Sequence, residues 1–516
     1  MKIISMLALT VAIALASTSV HASTTVKEAN EDVHRKATVS PLAARLQSIS
    51  DKLTAQDYPG ARLLLNDVVA DPAFADLPAS VRHGILSTLA MTESMAGDQA
   101  AAYDHLIAAG PATGDATDQM YYGTMMGAAA ATGHKDVATD AFLGLVRVAP
   151  TSAQYFEVGF VVQVEREARA RDDKGATRKA LLEALWTAHY RGPNIYLTPE
   201  RAWFDLFEIY VADGETDKAH EVMTAFREPT TVIRLRADKR YAPFLVTYPK
   251  AGDFKASLEA SLAEARALML AHPRDLEGVS ALAVRLADAG QLDESLKLAD
   301  DALAKIAAAP KDKPVYDDQA EQLQWIHMTR ATVMQRLGRT EDQVKTQEVA
   351  RDSAAGSRDD VSQAINLGDE YYASGRPQDA LDAVKNVDNH VSAYGQMAAN
   401  EVRACAYKQL GDTAKLAETM AYMKAHSEDG YSPYRSALLC TGDADGMAAN
   451  LIERLDNPVT RNETLTWMQG YLSEPSTEFY KQEEQVAKTA CSRPEVQAAV
   501  AKYGNVEFYP MYKQVE

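Results

Sequence analysis

The sequence has few cysteines, ordinary amounts of glycine and proline, and a deficit of positive charge. Its three cysteines exclude a dense disulfide framework of the kind that holds small secreted domains together. With 47% apolar residues and only 27 glycines and 20 prolines in 516 residues, the chain is not disordered throughout. Lysine and arginine number 53 against 72 acidic residues, a balance that disfavours nucleic acid and anionic lipid surfaces as partners and that we attribute to solubility.

The sequence has no long apolar run after the first 22 residues. An apolar run follows Lys2, but it is too short to span a membrane, and Val20 and Ala22 suit the −3 and −1 positions of a secretory cleavage site. We therefore predict that residues 1–22 are a signal peptide cut after Ala22. The mature protein is then periplasmic or secreted, with no membrane insertion, and loss of one lysine changes its formal charge from −19 to −20.

The rest of the chain divides by changes in pattern. Residues 23–40 are polar and predict a flexible linker. Residues 41–250 and 251–504 predict two helical arrays, because the stretch 230–253 interrupts the helical pattern with prolines and a β-branched run. Residues 505–516 predict an extended aromatic tail that either docks on the last helices or stays free.

The clearest local pattern is the stretch "AINLGDEYYASGRPQDALDAV" from residue 364 to residue 384. Ala364, Leu367, Gly368 and Tyr371 are spaced three, one and three residues apart, which places them on one face of a helix. Gly375 can adopt the positive φ that ends such a helix.

A second helix follows directly. Pro377 suits a first helical turn, where its missing N–H costs little, and Ala380 and Val384 lie one turn apart. Small residues at 368 and 380 let the two helices approach closely. The spacing therefore predicts an antiparallel helix pair.

This segment resembles a tetratricopeptide repeat, whose pattern is W-x2-L-G-x2-Y, then A-x3-F, then P, with a period near 34 residues. Ala364 stands at the position of the tryptophan and Val384 at that of the phenylalanine. Weaker copies of this pattern, with similar offsets between their residues, occur at 86–106, 122–150, 203–223 and 279–299.

The resemblance implies an all-α protein, an α-solenoid of antiparallel helix pairs forming a TPR-like right-handed superhelix. It also implies a non-catalytic protein that binds another protein or a peptide along a concave groove, which the first helix of each pair lines. Asp369 and Tyr372 project from such a helix and are our candidate groove contacts. The alternative is that they pack on the next repeat or face solvent.

The three cysteines are Cys405, Cys440 and Cys491, so an oxidising compartment permits one disulfide and leaves one cysteine over. Cys440 and Cys491 lie near predicted helix ends in the last part of the chain, and we favour that pair. Cys405 lies mid-helix among small residues, where we expect it to pack as a small hydrophobe. Spacing alone does not determine the connectivity.

Motifs for catalysis or for cofactors do not stand out. The sequence has no H-E-x-x-H, no Walker-type G-x-x-x-x-G-K-[ST] and no G-x-S-x-G. We therefore predict that the protein is not an enzyme, with no catalytic residue, no cofactor and no metal site.

The sequence predicts an exported scaffold or adaptor of the bacterial envelope. The alternative is an accessory subunit of a polysaccharide or cell-wall complex that contacts glycan through tyrosine-rich surfaces. Partner and oligomeric state stay open.

Overall fold

The structure is a computed structural model, and it describes residues 41–111, 118–310, 312–356, 359–387, 391–474 and 477–513. The predicted signal peptide and linker lie outside these residues. The described residues form helices joined by short connections, without a β-strand; two isolated bridges pair Asp238 with Gly504 and Gly470 with Phe508. The all-α prediction is confirmed. In the part of the chain that the structure describes, no helix has the length and apolar character needed to cross a membrane.

The described residues form two compact units, which divide between residues 219 and 220. The predicted boundary after residue 250 falls within the second unit. Residues before that boundary pack on the C-terminal segment: the Asn505 N–H donates to the Ala237 carbonyl at 2.9 Å. Sequence pattern alone did not show this long-range contact.

The first unit is a series of antiparallel helix pairs. Its helices are α1 (Pro41–Thr54), α2 (Tyr58–Val69), α3 (Ala79–Met95), α4 (Gln99–Ala109), α5 (Gln119–Ala131), α6 (Lys135–Val148), α7 (Val158–Arg169), α8 (Ala176–Thr187), α9 (Glu200–Asp213) and the start of α10 (Thr216–Met223). Neighbouring helices share buried residues, such as Leu65 with Leu89, and Leu106 with Met125. One pair alone would leave its apolar face in water, so stacking supplies the core.

The second unit continues the helical pattern and adds a C-terminal segment. Its helices are α11 (Pro229–Ala237), α12 (Ala242–Thr247), α13 (Phe254–Ala271), α14 (Leu276–Asp288), α15 (Leu292–Ala308), α16 (Gln319–Arg336), α17 (Thr340–Ala354), α18 (Asp360–Ala373), α19 (Pro377–Ala383), α20 (Ala393–Leu410), α21 (Thr413–Ala425), α22 (Tyr431–Thr441), α23 (Ala444–Asp456), α24 (Arg461–Trp467), α25 (Glu478–Cys491) and α26 (Pro494–Tyr503).

The glycines that the repeat pattern places in turns have the backbone conformation that such turns require. Gly375 joins α18 to α19 with φ 74°, a conformation that costs glycine little because it has no Cβ. Positive φ is also found at Gly97, Gly133, Gly214, Gly290 and Gly411. The predicted helix–turn–helix spacing is thus confirmed at these positions.

The first and last parts of the second unit are in contact. The Arg234 guanidinium donates to the Asn462 Oδ1 at 3.0 Å, and the Asn462 amide donates to the Arg234 carbonyl at 2.7 Å. Ala237, Leu465 and Val500 share one buried cluster. Helices α11, α24 and α26 therefore form a common core, which closes the array within this unit.

The tail is extended, as predicted. Its described residues are docked on helices of the second unit and are not free. The Gly470 N–H donates to the Glu507 carbonyl and the Leu472 N–H to the Met511 carbonyl, at 2.8 and 2.9 Å. The Tyr512 N–H donates to the carbonyl of Asp288, whose carboxylate forms a buried ion pair with Arg336 at 2.9 Å. Residues 514–516 lie outside the described part of the chain.

Candidate partner-binding groove

Three first helices of neighbouring pairs, α18, α20 and α22, line one inner face of the second unit. We call Asp369, Glu370, Tyr372 and Glu401 the acidic face, because three of these four residues carry carboxyl groups. The first turns of helix α25 of the same chain cover this face with Phe479, Tyr480 and Glu483, and the helix also packs on α22 and α23. The chain itself thus already covers the face.

Tyr372 lies at the centre of this contact. Its side chain is 6% exposed, and its hydroxyl donates to the Glu401 Oε1 at 3.3 Å. Its ring centroid lies 5.3 Å from that of Phe479. Tyr372 therefore packs on the next repeat, as the alternative interpretation had it, and also contacts a helix seated in the groove.

Asp369 lies one helical turn before Tyr372 on the same face. Its Oδ1 atom is buried and makes no hydrogen bond to a described residue. Burial raises the pKa of Asp369 well above its ordinary value, and the negative charges of Glu401, Glu370 and Glu483 add to the effect. The structure thus brings both predicted groove residues together in one acidic site.

The other carboxyl groups of this site were not predicted from the sequence. Burial raises the pKa of Glu370 to about 7, although the Gln343 amide donates a hydrogen bond to its carboxylate. Burial also raises the pKa of Glu401 to about 8 and that of Glu483 to about 8, and the charge of Glu401 adds to the shift at Glu483. The signal available in the sequence was an acid three residues after the Phe479–Tyr480 pair.

Two guanidinium groups act on the edges of the site. The charge of Arg435 lowers the pKa of Glu401 against the larger effect of burial, and Arg435 also stacks 5.0 Å from the Trp467 ring. Arg336 lies 3.4 Å from the Glu474 carboxylate. These cations offset only part of the acidic charge, because the pKa values of Glu401 and Glu474 remain raised.

Helix α25 is held mainly at its two ends. Thr477 caps its N-terminus by accepting a hydrogen bond from the Tyr480 N–H, and Phe479 and Tyr480 pack on a cluster that includes Val402. Ala490, near the other end, is the one residue of α25 that is fully buried. Between these ends the helix packs on α22 and α23 with residues that are half-buried or exposed.

A cavity of about 620 Å³ adjoins the first turn of α25. Val344 and Lys345 of α17, Arg376 in the turn after α18, and Phe479 of α25 are among the residues that line it. The Arg376 guanidinium lies 4.2 Å from the Tyr371 ring centroid and pairs with Asp379 at 2.7 Å. Open space therefore borders the place where α25 enters the groove.

The cysteine pairing differs from the prediction. Cys405 of α20 and Cys440 of α22 form the disulfide, with Cα atoms 5.5 Å apart, and Cys491 is free. The predicted Cys440–Cys491 pair is wrong because α20 and α22 are adjacent first helices, which brings the mid-helix Cys405 against Cys440. Cys491 packs in another cluster with Met447, and burial raises the pKa of its thiol.

No cluster of three or more histidine, cysteine or acidic side chains that could hold a metal ion occurs among the described residues. The acidic face offers one buried aromatic ring and carboxyl groups that burial favours in the protonated form. A cation brought against such groups would favour their charged form.

Comparisons with known proteins give distant likenesses in structure alone. No protein-family model matches the chain, and no curated protein matches it. The solved structures that it resembles include a Rap protein complexed with competence and sporulation factor, at 10% identity over 87% of this chain and 98% of that chain, with a TM-score of 0.27. The Cut9–Hcn1 hetero-tetramer of the APC/C is 10% identical over 90% of this chain and 96% of that chain, with a TM-score of 0.29. The P58(IPK) TPR domain is 11% identical over 87% of this chain and 99% of that chain, with a TM-score of 0.17.

TM-scores this low carry no argument about how the helix pairs are arranged or what they bind. The fold assignment rests on the helix pairs themselves, on their turn glycines and on the repeat pattern of residues 364–384. The chain is an all-α protein built from successive antiparallel helix pairs.

Proposed function

We propose that this protein is a non-catalytic scaffold that binds a segment of another protein in the groove of its second unit. The observation that carries the proposal is the position of α25. The first turn of this helix contacts α18 and α20 through Phe479 and Tyr480, and the Phe479 ring lies 5.3 Å from that of Tyr372. The rest of the helix packs on α22 and α23. The face that receives the first turn offers an aromatic contact of the kind that helix-binding grooves use.

The proposal extends to an exported protein of the bacterial envelope. Two observations support it: the N-terminal pattern of Lys2, Val20 and Ala22, and the disulfide between Cys405 and Cys440. Disulfides persist in oxidising compartments and are rare in the cytosol. Cell fractionation with N-terminal sequencing tests this part. We expect a periplasmic protein that begins at Ser23; an uncut cytoplasmic chain contradicts it.

Photo-crosslinking in cells tests the binding function. A photoreactive amino acid replaces Glu478, which is exposed at the first turn of α25 beside the cavity. The matched control replaces Glu418, which is exposed on the outer helix α21. We expect a discrete protein adduct, identified by mass spectrometry, from position 478 and none from position 418.

Two results contradict the proposed function. One is the absence of any polypeptide adduct at position 478. The other is retention of envelope glycan by the purified protein in place of a polypeptide, which would favour the accessory role in polysaccharide assembly.

A further inference from the structure

The helix that occupies the acidic face is poorly matched to it in charge. Phe479 and Tyr480 suit the face, because they pack against Tyr372 and the cluster around Val402. Glu483 does not, because the charge of Glu401 raises the pKa of Glu483 and the charge of Glu483 raises that of Asp369. Docking of α25 therefore either holds protons on these carboxyl groups or brings like charges together, and both oppose it at neutral pH.

We propose that the acidic face binds a helical segment of a partner protein with two adjacent aromatic residues and, three residues after the second, a lysine or an arginine. This segment replaces α25. The inference rests on the proposed function and names the chemistry of its partner. The aromatic pair takes the positions of Phe479 and Tyr480, and the basic residue takes the position of Glu483.

Charge complementarity is the reason for the basic residue. Asp369 has a buried Oδ1 atom without a hydrogen-bond partner, and an ammonium or guanidinium group has the donors that such an atom lacks. Glu401 has hydrogen bonds with the hydroxyl groups of Tyr372 and Ser436, and a carboxylate has acceptor capacity beyond two bonds. A cation at position 483 therefore gains hydrogen bonds where Glu483 meets repulsion.

Replacement requires α25 to leave the acidic face and also its contacts with α22 and α23. Ala490 is its one fully buried residue, and Glu483, in the middle of the helix, is half-buried. Because α25 is connected to the groove within the same chain, a partner segment competes with a high effective concentration of this helix.

Peptide binding to the purified protein tests the inference. Three fluorescein-labelled peptides cover residues 477–492, each with Cys491→Ser: the native sequence, a Glu483→Lys peptide and a Glu484→Lys peptide. Glu484 is exposed on α25, so the third peptide is a control of identical charge and composition. We expect the Glu483→Lys peptide to bind about tenfold more tightly than either of the others by fluorescence anisotropy.

Two protein variants sharpen the measurement. Phe479→Ala with Tyr480→Ala weakens the docking of α25 and should tighten the binding of all three peptides. Glu401→Gln removes one of the complementary charges and should reduce the advantage of the Glu483→Lys peptide.

The outcomes separate the inference from the proposed function. If the native and Glu483→Lys peptides bind equally, the groove binds polypeptide but the basic partner is wrong. If the Glu484→Lys control binds as tightly as the Glu483→Lys peptide, the gain is non-specific attraction and the inference fails. If no peptide binds even to the double-alanine variant, this face is not a polypeptide-binding groove and both proposals fail.

Discussion

Carboxyl groups facing one another are the distinctive feature of the groove at the residue scale. Glu483 is one of these carboxyl groups, and burial in the groove raises its pKa to about 8. The groove therefore holds protons that the unfolded chain releases at neutral pH, which couples the docking of α25 to pH.

The first prediction concerns the pH dependence of stability. The pKa of Glu401 and that of Glu483 are each raised from 4.5 to about 8. At pH values below the ordinary pKa of 4.5, these carboxyl groups are protonated in both the folded and the unfolded state. Between 4.5 and about 8 only the unfolded chain releases these protons, so the free energy of unfolding falls as pH rises, and the fall ends above the folded-state pKa. We expect the Tm to decrease from about pH 5 to about pH 8.

Charge-removing variants isolate the groups responsible. Glu483→Gln should raise the Tm at about pH 8, where the native carboxyl is costly, and make the decrease with pH shallower. Glu484→Gln, at the exposed neighbouring position, is the control and should leave the slope unchanged. Equal slopes in the native protein and the Glu483→Gln variant would show that the groove does not hold this proton.

At the scale of the element, the helix pair was predictable because its determinants are local. The spacing of Ala364, Leu367 and Tyr371 defines a face, and Gly375 ends the helix, so neighbouring residues suffice to identify the pair. The disulfide and the acidic site were not predictable in this way. Glu401 on α20 and Glu483 on α25 lie far apart in sequence. The acid three residues after the Phe479–Tyr480 pair is visible in the sequence, but the pattern does not say which distant residue it approaches.

The turn of the clearest pair gives a second prediction. A Cβ at Gly375 would meet no atom within 4 Å, so backbone strain alone penalises a substitution at this φ of 74°. We expect Gly375→Val to lower the stability of the protein by about 1–2 kcal/mol, measured by thermal or chemical unfolding. Gly375→Asn, which tolerates this conformation better, should cost less. An unchanged midpoint for the valine variant would contradict the turn geometry.

The connection between α20 and α22 gives a third prediction. Peptide mapping without reduction should recover Cys405 linked to Cys440 and a free thiol at Cys491. Loss of this link in Cys405→Ser should cost about 3–4 kcal/mol by loop entropy, whereas Cys491→Ser should cost little. Recovery of a Cys440–Cys491 peptide would contradict the pairing seen in the structure.

At the scale of the whole molecule, the second unit is completed by its own C-terminal segment. The tail lies between helices that are far apart in sequence: Tyr509 packs on Ile233 and Phe254, and Tyr512 donates its N–H to Asp288. The described C-terminal residues are therefore part of the core of this unit and not an appendage.

Two neighbouring aromatic residues of the tail test this role. Tyr509 is 3% exposed and Phe508 is 63% exposed. We expect Tyr509→Ala to destabilise the unit by about 3–5 kcal/mol, as large truncations in a core do. Phe508→Ala should change the stability by about 0.5 kcal/mol or less. Similar losses in the two variants, measured by chemical unfolding, would contradict the docked tail.

The most direct test of the central claim, that the groove of the second unit holds a helix which a partner segment replaces, is amide hydrogen exchange with and without the Glu483→Lys peptide. We predict that α25 loses protection when the peptide binds, while α18 and α20 keep or gain it, because one helix leaves the face and another takes its place. Unchanged protection of α25 at saturating peptide would contradict the account.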